Sequence, residues 1–167
     1  MDLEWKTDRP SYGEKIAGVS AISLLILMSY DWFGTKSPED AALQLFSVGH
    51  SAWDALDYIP IVLLVTIVAA VATAALRLLT ETRKLPVPAN PVVALLGIVS
   101  TLLILFRIVD PPSFGSEPSL FGTVTYEGTV QLPIFLALLA AAGIAFGAFF
   151  AMSEEGLSIT DLRVRFA

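Results

Sequence analysis

Long uncharged stretches alternate with charged or Pro/Gly-rich segments along the chain. Four stretches contain no Asp, Glu, Lys or Arg: residues 16–30, 58–76, 85–106 and 128–153. A helix needs about 20 mostly apolar residues to cross the hydrocarbon core of a bilayer. The pattern therefore predicts an all-α membrane protein with four transmembrane helices.

Proline positions refine the ends of the predicted spans. Asn90 followed by Pro91 is typical of a helix start, because a residue in the first turn needs no N–H donor. Pro111 and Pro112 cannot continue the third helix. We expect one transmembrane domain at 16–152, with a cytoplasmic segment at 1–15 and a cytoplasmic tail at 153–167, and with spans at about 16–33, 58–79, 90–109 and 130–152.

The basic residues are distributed unevenly among the connecting segments. Eight of the ten lie before span one, between spans two and three, or after span four: Lys6, Arg9, Lys15, Arg77, Arg83, Lys84, Arg163 and Arg165. Only Lys36 and Arg107 fall on the other side. The positive-inside rule then predicts that both termini are cytoplasmic. Trp32, Phe33, Trp53 and Tyr58 gather near the outer boundary, as in an aromatic belt.

The first outer connection has the pattern of a short amphipathic helix. Ser37 to Asp40 has the spacing of a helix start, and apolar residues between Leu45 and Leu56 recur at mostly helical intervals. This helix would cover the bundle or dock another protein. The second outer connection contains an alternating run at 123–126, which predicts a small hairpin or a strand that pairs elsewhere.

Arg107 lies within one turn of the outer end of span three, with Asp110 three residues on. Asp31 and Asp57 end neighbouring spans at the same depth. An arginine near the membrane is stabilised by such carboxylates, so these four residues form a candidate outer charge network. Two roles stay open, namely pairing that holds helices together and contact with an anion at the outer mouth.

Small residues repeat at helical spacing in span four. Gly143, Gly147 and Ala151 form a Gly-x-x-x-Gly-x-x-x-Ala stripe, and Gly13, Ala17 and Ala21 have the same spacing at span one. Such stripes let helix backbones approach closely. Packing within the chain is the first interpretation, and self-association through span four is the second.

Several kinds of chemistry find no support in the residues. The chain has no cysteine, and a net charge of −6 without a basic cluster disfavours a nucleic-acid partner. His50 is the only histidine, so we expect no metal site. Glu14 precedes the first span by two residues, so no predicted helix interior contains an acid for proton coupling. We expect no catalytic residues, no cofactor and no enzymatic activity.

The segments GEKIAGVS at 13–20, WF at 32–33, SAWDAL at 51–56 and RIVDPP at 107–112 resemble those of a group of uncharacterised four-span proteins of actinobacteria. The resemblance implies a bacterial plasma membrane and no assigned activity.

We expect a multi-pass membrane protein that acts as a non-enzymatic accessory or scaffolding component of a larger membrane complex. Its partners would be the lipid bilayer and either another membrane protein or further copies of the chain. The alternative is a small oligomeric channel or transporter with Arg107 at its outer mouth.

Overall fold

The computed structural model describes residues 11–35, 48–79, 89–119 and 122–154. The fold is mostly helical. The helices are α1 (Tyr12–Leu27), α2 (Ala52–Ala55), α3 (Ile59–Leu79), α4 (Ala89–Val109) and α5 (Leu132–Glu154). The strands are β1 (Asp31–Thr35), β2 (Val48–Ser51), β3 (Ser113–Ser119) and β4 (Gly122–Val130). Residues 37–47 of the predicted outer helix lie outside the described residues, and so do residues 155–167 of the predicted tail.

Three helices of the described chain, α3, α4 and α5, are long and apolar enough to cross a membrane. With α1 they form a four-membered ring, in which α1 packs against α3 and α5, and α4 packs against the same two helices. Many large apolar side chains point away from this ring, among them Val68, Leu102 and Leu139. Such an apolar exterior is typical of helices that contact lipid.

α1 begins and ends earlier than the predicted span at 16–33. Ser11 Oγ accepts a hydrogen bond from Glu14 N at 3.2 Å, and Glu14 Oε2 accepts one from Ser11 N at 3.2 Å. This capping box starts the helix at Tyr12. Leu27 is its last residue, so the 16-residue helix is about 24 Å long. The prediction that helix continues to residue 33 is wrong, because the chain there enters β1.

The four strands form one antiparallel sheet in the order β2-β1-β4-β3. β3 and β4 make the hairpin predicted for the second outer connection, and β4 also pairs with β1 through Phe33 opposite Val130. The prediction of helix around Val48 is wrong, because Val48–Ser51 forms β2 beside β1. Within the described part of the predicted outer helix, the four residues of α2 are helical.

Two aromatic residues of β1 anchor the sheet on the helices. Trp32 and Phe33 are fully buried, so they do not belong to an outer aromatic belt as predicted, whereas Trp53 and Tyr58 are exposed. Trp32 Nε1 donates a hydrogen bond to Leu27 O at 2.7 Å. Gln131 N, just before α5, donates to Trp32 O at 2.9 Å. The sheet therefore lies across one end of the bundle, which we call the sheet end.

Candidate functional site

The four residues of the predicted outer charge network lie near the sheet end. Asp31, Asp57 and Asp110 are exposed, and Arg107 is partly buried. The Asp31 carboxylate lies against the backbone of Gly49, in the space that a Cβ there would fill. Arg107 Nε is buried and has no hydrogen-bond partner among the residues that the structure describes, and the guanidinium lies 5.9 Å from the centre of the Phe106 ring. The network of these four residues stays a prediction.

An aromatic stack lies within the sheet end. The His50 imidazole lies parallel to the Phe114 ring at 4.1 Å between centres, and Phe33 contacts the same ring at 6.3 Å. This stack gives His50 a packing role that links β2 to β3. In the part of the chain that the structure describes, no group of three or more His, Cys, Asp or Glu side chains could hold a metal ion.

A buried polar cluster lies at the opposite end of the bundle, which we call the Glu14 end. Glu14, Thr73 and Asn90 are 3%, 7% and 2% exposed and come from α1, α3 and α4. They line a cavity of about 10 Å³, which is close to the smallest space that holds one water molecule. Asn90 Nδ2 is buried and has no hydrogen-bond partner within the described part of the chain, so a water in this cavity would satisfy it.

This cluster was not predicted from the sequence. The predicted spans leave Glu14 outside the first helix and give Asn90 the role of a helix cap, whereas both residues are buried within the bundle. The Ser-x-x-Glu spacing at Ser11 was a signal that α1 begins at Tyr12 and includes Glu14. Nothing local indicates the burial of Asn90 and Thr73, because that depends on how α1, α3 and α4 pack.

One further polar contact lies in the middle of the bundle. The hydroxyls of Thr66 on α3 and Ser100 on α4 are fully buried and 2.8 Å apart. Thr66 Oγ1 also donates to Val62 O at 2.9 Å, which leaves Ser100 as the donor between the two hydroxyls. This bond is a specific contact between α3 and α4.

The small-residue stripe of α5 lies against α1. A Cβ placed on Gly147 would come within 2.6 Å of Ala17 N and 2.7 Å of Gly13 O, so the two backbones touch. Gly143 lies opposite the Ser20 side chain, and Ala151 is buried beside Gly13. In this structure the stripe serves packing within one chain, the first of its two interpretations.

At the Glu14 end, a hydrogen bond joins the start of α1 to the end of α5. Glu154, at the last position of α5, accepts a bond from Gly13 N through Oε2 at 3.4 Å. It thereby caps one of the free N–H groups in the first turn of α1.

Comparison with protein-family models, with curated proteins and with solved structures finds no match for this chain. The functional argument therefore rests on the geometry above.

Proposed function

We propose that this chain is a four-span protein of the bacterial plasma membrane, with both termini in the cytoplasm and the sheet outside. Its role is that of a non-enzymatic accessory or scaffolding subunit, which presents the sheet end to another membrane protein. The observation that carries the proposal is the sheet itself, because its buried Trp32 and Phe33 hold it firmly on an apolar bundle.

The path of α1 supports the fourth span. At the Glu14 end, Gly13 N bonds to Glu154 at the end of α5. At the sheet end, Trp32 bonds to Gln131, which directly precedes α5. α1 and the turn that follows it thus extend from one end of α5 to the other. Because α5 is long and apolar enough to cross a membrane, its antiparallel neighbour would cross with it.

The charge distribution supports the orientation. Lys15 lies at the Glu14 end, and the chain segments that emerge there contain most of the remaining basic residues. The sheet end carries exposed Asp31, Asp57 and Asp110. The positive-inside rule places the Glu14 end in the cytoplasm.

β3, at one edge of the sheet, is a poor template for adding another strand, because it contains Pro118, which has no N–H to donate. The proposed docking uses exposed side chains at the other edge. Trp53 on α2 is 45% exposed beside β2, and Asp54 next to it is exposed. Trp is enriched among the residues that dominate protein interfaces.

Site-specific photo-crosslinking in the native membrane tests the accessory role. A photoreactive amino acid at Trp53 should form an adduct with a second protein. The same amino acid at Leu139, which is exposed on α5 away from the sheet, serves as the matched control and should give none. Adducts of the chain with itself alone, or no protein adduct at position 53, would contradict the accessory role.

A small oligomeric channel or transporter is the second candidate, and one observation favours it. Polar side chains occur at three depths: Arg107 near the sheet end, the Thr66–Ser100 pair in the middle, and Glu14 with Asn90 at the other end. Flux of ions into liposomes should then fall with Arg107→Gln and with Glu14→Gln. Glutamine can replace glutamate in a capping box, so Glu14→Gln tests the charge while α1 keeps its start.

A further inference from the structure

The small cavity at the Glu14 end lies where three helices meet. Glu14 reaches it from α1, Thr73 from α3 and Asn90 from α4. The rest of its lining is apolar: Ala17, Ala70, Ala74, Val93 and Ala148. α1 and α4 lie diagonally across the ring, since each packs against α3 and α5. The cavity therefore connects two helices that face each other across the bundle.

Asn90 supplies a hydrogen-bond donor to this cavity. The residue is 2% exposed, and among the described residues its Nδ2 finds no acceptor. Buried polar groups without a partner in the protein are usually satisfied by an ordered water. The occupant of the cavity must therefore be able to accept a hydrogen bond.

The other two polar residues supply acceptors. The Thr73 hydroxyl donates its hydrogen to Ala69 O at 2.7 Å, so its oxygen can only accept from any further partner. Glu14 Oε2 accepts from Ser11 N at 3.2 Å, and a carboxyl group has further lone pairs. The occupant must therefore also be able to donate hydrogen bonds.

Water is the small species that matches all three groups. It accepts from Asn90 Nδ2 and donates to Thr73 Oγ1 and to the Glu14 carboxyl group, and three hydrogen bonds are typical of a buried water. A cation cannot accept the bond from Nδ2, and an anion would lie beside the Glu14 carboxyl group. The cavity volume of about 10 Å³ leaves no space for a larger ligand. We propose that this cavity is a binding site for one water molecule, which joins α1, α3 and α4.

The bound water links Glu14 on α1 to Asn90 on α4 across the bundle. In the middle of the bundle, the Thr66–Ser100 bond already joins α4 to α3. The water adds a second polar contact of α4 at the Glu14 end. The two contacts together fix the position of α4 at two depths.

NMR of the Asn90 side chain tests the site. Asn90 is the only asparagine of the chain, so labelling with ¹⁵N-asparagine makes its side-chain amide observable alone. The full chain would be studied in detergent micelles for cross-peaks between water and the Nδ2 hydrogens. The sign of these cross-peaks in the laboratory and rotating frames separates close contact with a bound water from hydrogen exchange. We expect a contact cross-peak, and its absence in the folded protein would overturn the proposal.

A pair of alanine substitutions on α3 locates the water. Ala70 is buried and lines the cavity, so the two methyl groups added by Ala70→Val take the place of the water, and the cross-peak should be lost. Ala72→Val is the matched control, because Ala72 is exposed and lies outside the cavity, and it should keep the cross-peak. Thr73→Val keeps the shape of the side chain but removes one acceptor, so it should weaken the cross-peak even if Ala70→Val does not fold. An unchanged cross-peak in Thr73→Val and in folded Ala70→Val would place the water elsewhere and overturn the proposal.

The choice of salt distinguishes water from a cation. Replacement of Na⁺ by choline should leave the cross-peak and the chemical shifts of the Asn90 amide unchanged. A water cross-peak that appears only when Na⁺ is removed would show that a cation occupies the cavity, with the amide oxygen of Asn90 turned towards it. That result would overturn the proposal.

Discussion

Some glycines of the bundle lie directly against the backbone of a neighbouring helix and leave no space for a side chain. At Gly147 any side chain would overlap backbone atoms of Ala17 and Gly13. At Gly18, on the other side of α1, a Cβ would lie 3.5 Å from the Ala74 side chain, which is an ordinary contact. The small-residue stripes in the sequence contain Gly147 and not Gly18. The distances to the neighbouring helices agree with that difference.

The two glycines therefore make a matched pair of substitutions. Gly147→Ala should destabilise the protein by about 1–3 kcal/mol, because the two helices must move apart. Gly18→Ala should leave stability unchanged or raise it by up to about 1 kcal/mol, since alanine favours helix. Thermal unfolding of both variants in the same detergent measures the difference. Equal melting temperatures for the two variants would be evidence against the close α1–α5 contact.

The Thr66–Ser100 bond gives a second prediction at this scale. Thr66→Val keeps the shape of the side chain but leaves the Ser100 hydroxyl without its acceptor. A double-mutant cycle with Ser100→Ala should give a coupling free energy of about 0.5–1.7 kcal/mol, the range found for hydrogen bonds between membrane helices. The measurement is the unfolding free energy of the four proteins. Additive effects would mean that the two hydroxyls do not interact.

At the scale of elements, hydropathy and proline positions predict most helix ends and miss the strands. α4 begins at Ala89, one residue before the predicted start, and α3 begins at Ile59, also one residue away. β1, by contrast, is held by pairing with β4, a partner almost 100 residues away. The local pattern of such a short segment fits the end of a helix equally well, so the predicted first span continues through it.

Trp32 is the residue that tests how β1 is joined to the helices. Trp32→Phe removes the hydrogen bond to Leu27 O and part of a fully buried ring, so we expect a loss of about 1–3 kcal/mol. Trp53→Phe makes the same change at an exposed position and should alter stability by less than about 0.5 kcal/mol. Thermal unfolding followed by tryptophan fluorescence compares the two. A larger loss for Trp53→Phe would contradict the anchoring role of Trp32.

As a whole, the proposed membrane protein combines a lipid-facing bundle with a polar end on each side of the membrane. Composition and charge predict that the chain enters a membrane, because hydropathy and charge are sums over single residues and do not depend on how the helices pack. The burial of Glu14, Thr73 and Asn90 could not be predicted in this way, since it arises where three helices meet. The same holds for the sheet, which unites segments from both connections that were predicted to lie outside.

The most direct test of this account is the side of the membrane on which each end lies. The chain has no cysteine, so single cysteines can be introduced without other changes. Ser113→Cys lies at the sheet end and Lys15→Cys at the Glu14 end, and both positions are exposed.

In intact cells, a membrane-impermeant maleimide should label Ser113→Cys, and it should label Lys15→Cys only after permeabilisation. Labelling of both variants from outside would mean that α1 does not cross the membrane, and labelling of Lys15→Cys alone would mean that the orientation is reversed. Either result would contradict the four-span arrangement with the sheet outside.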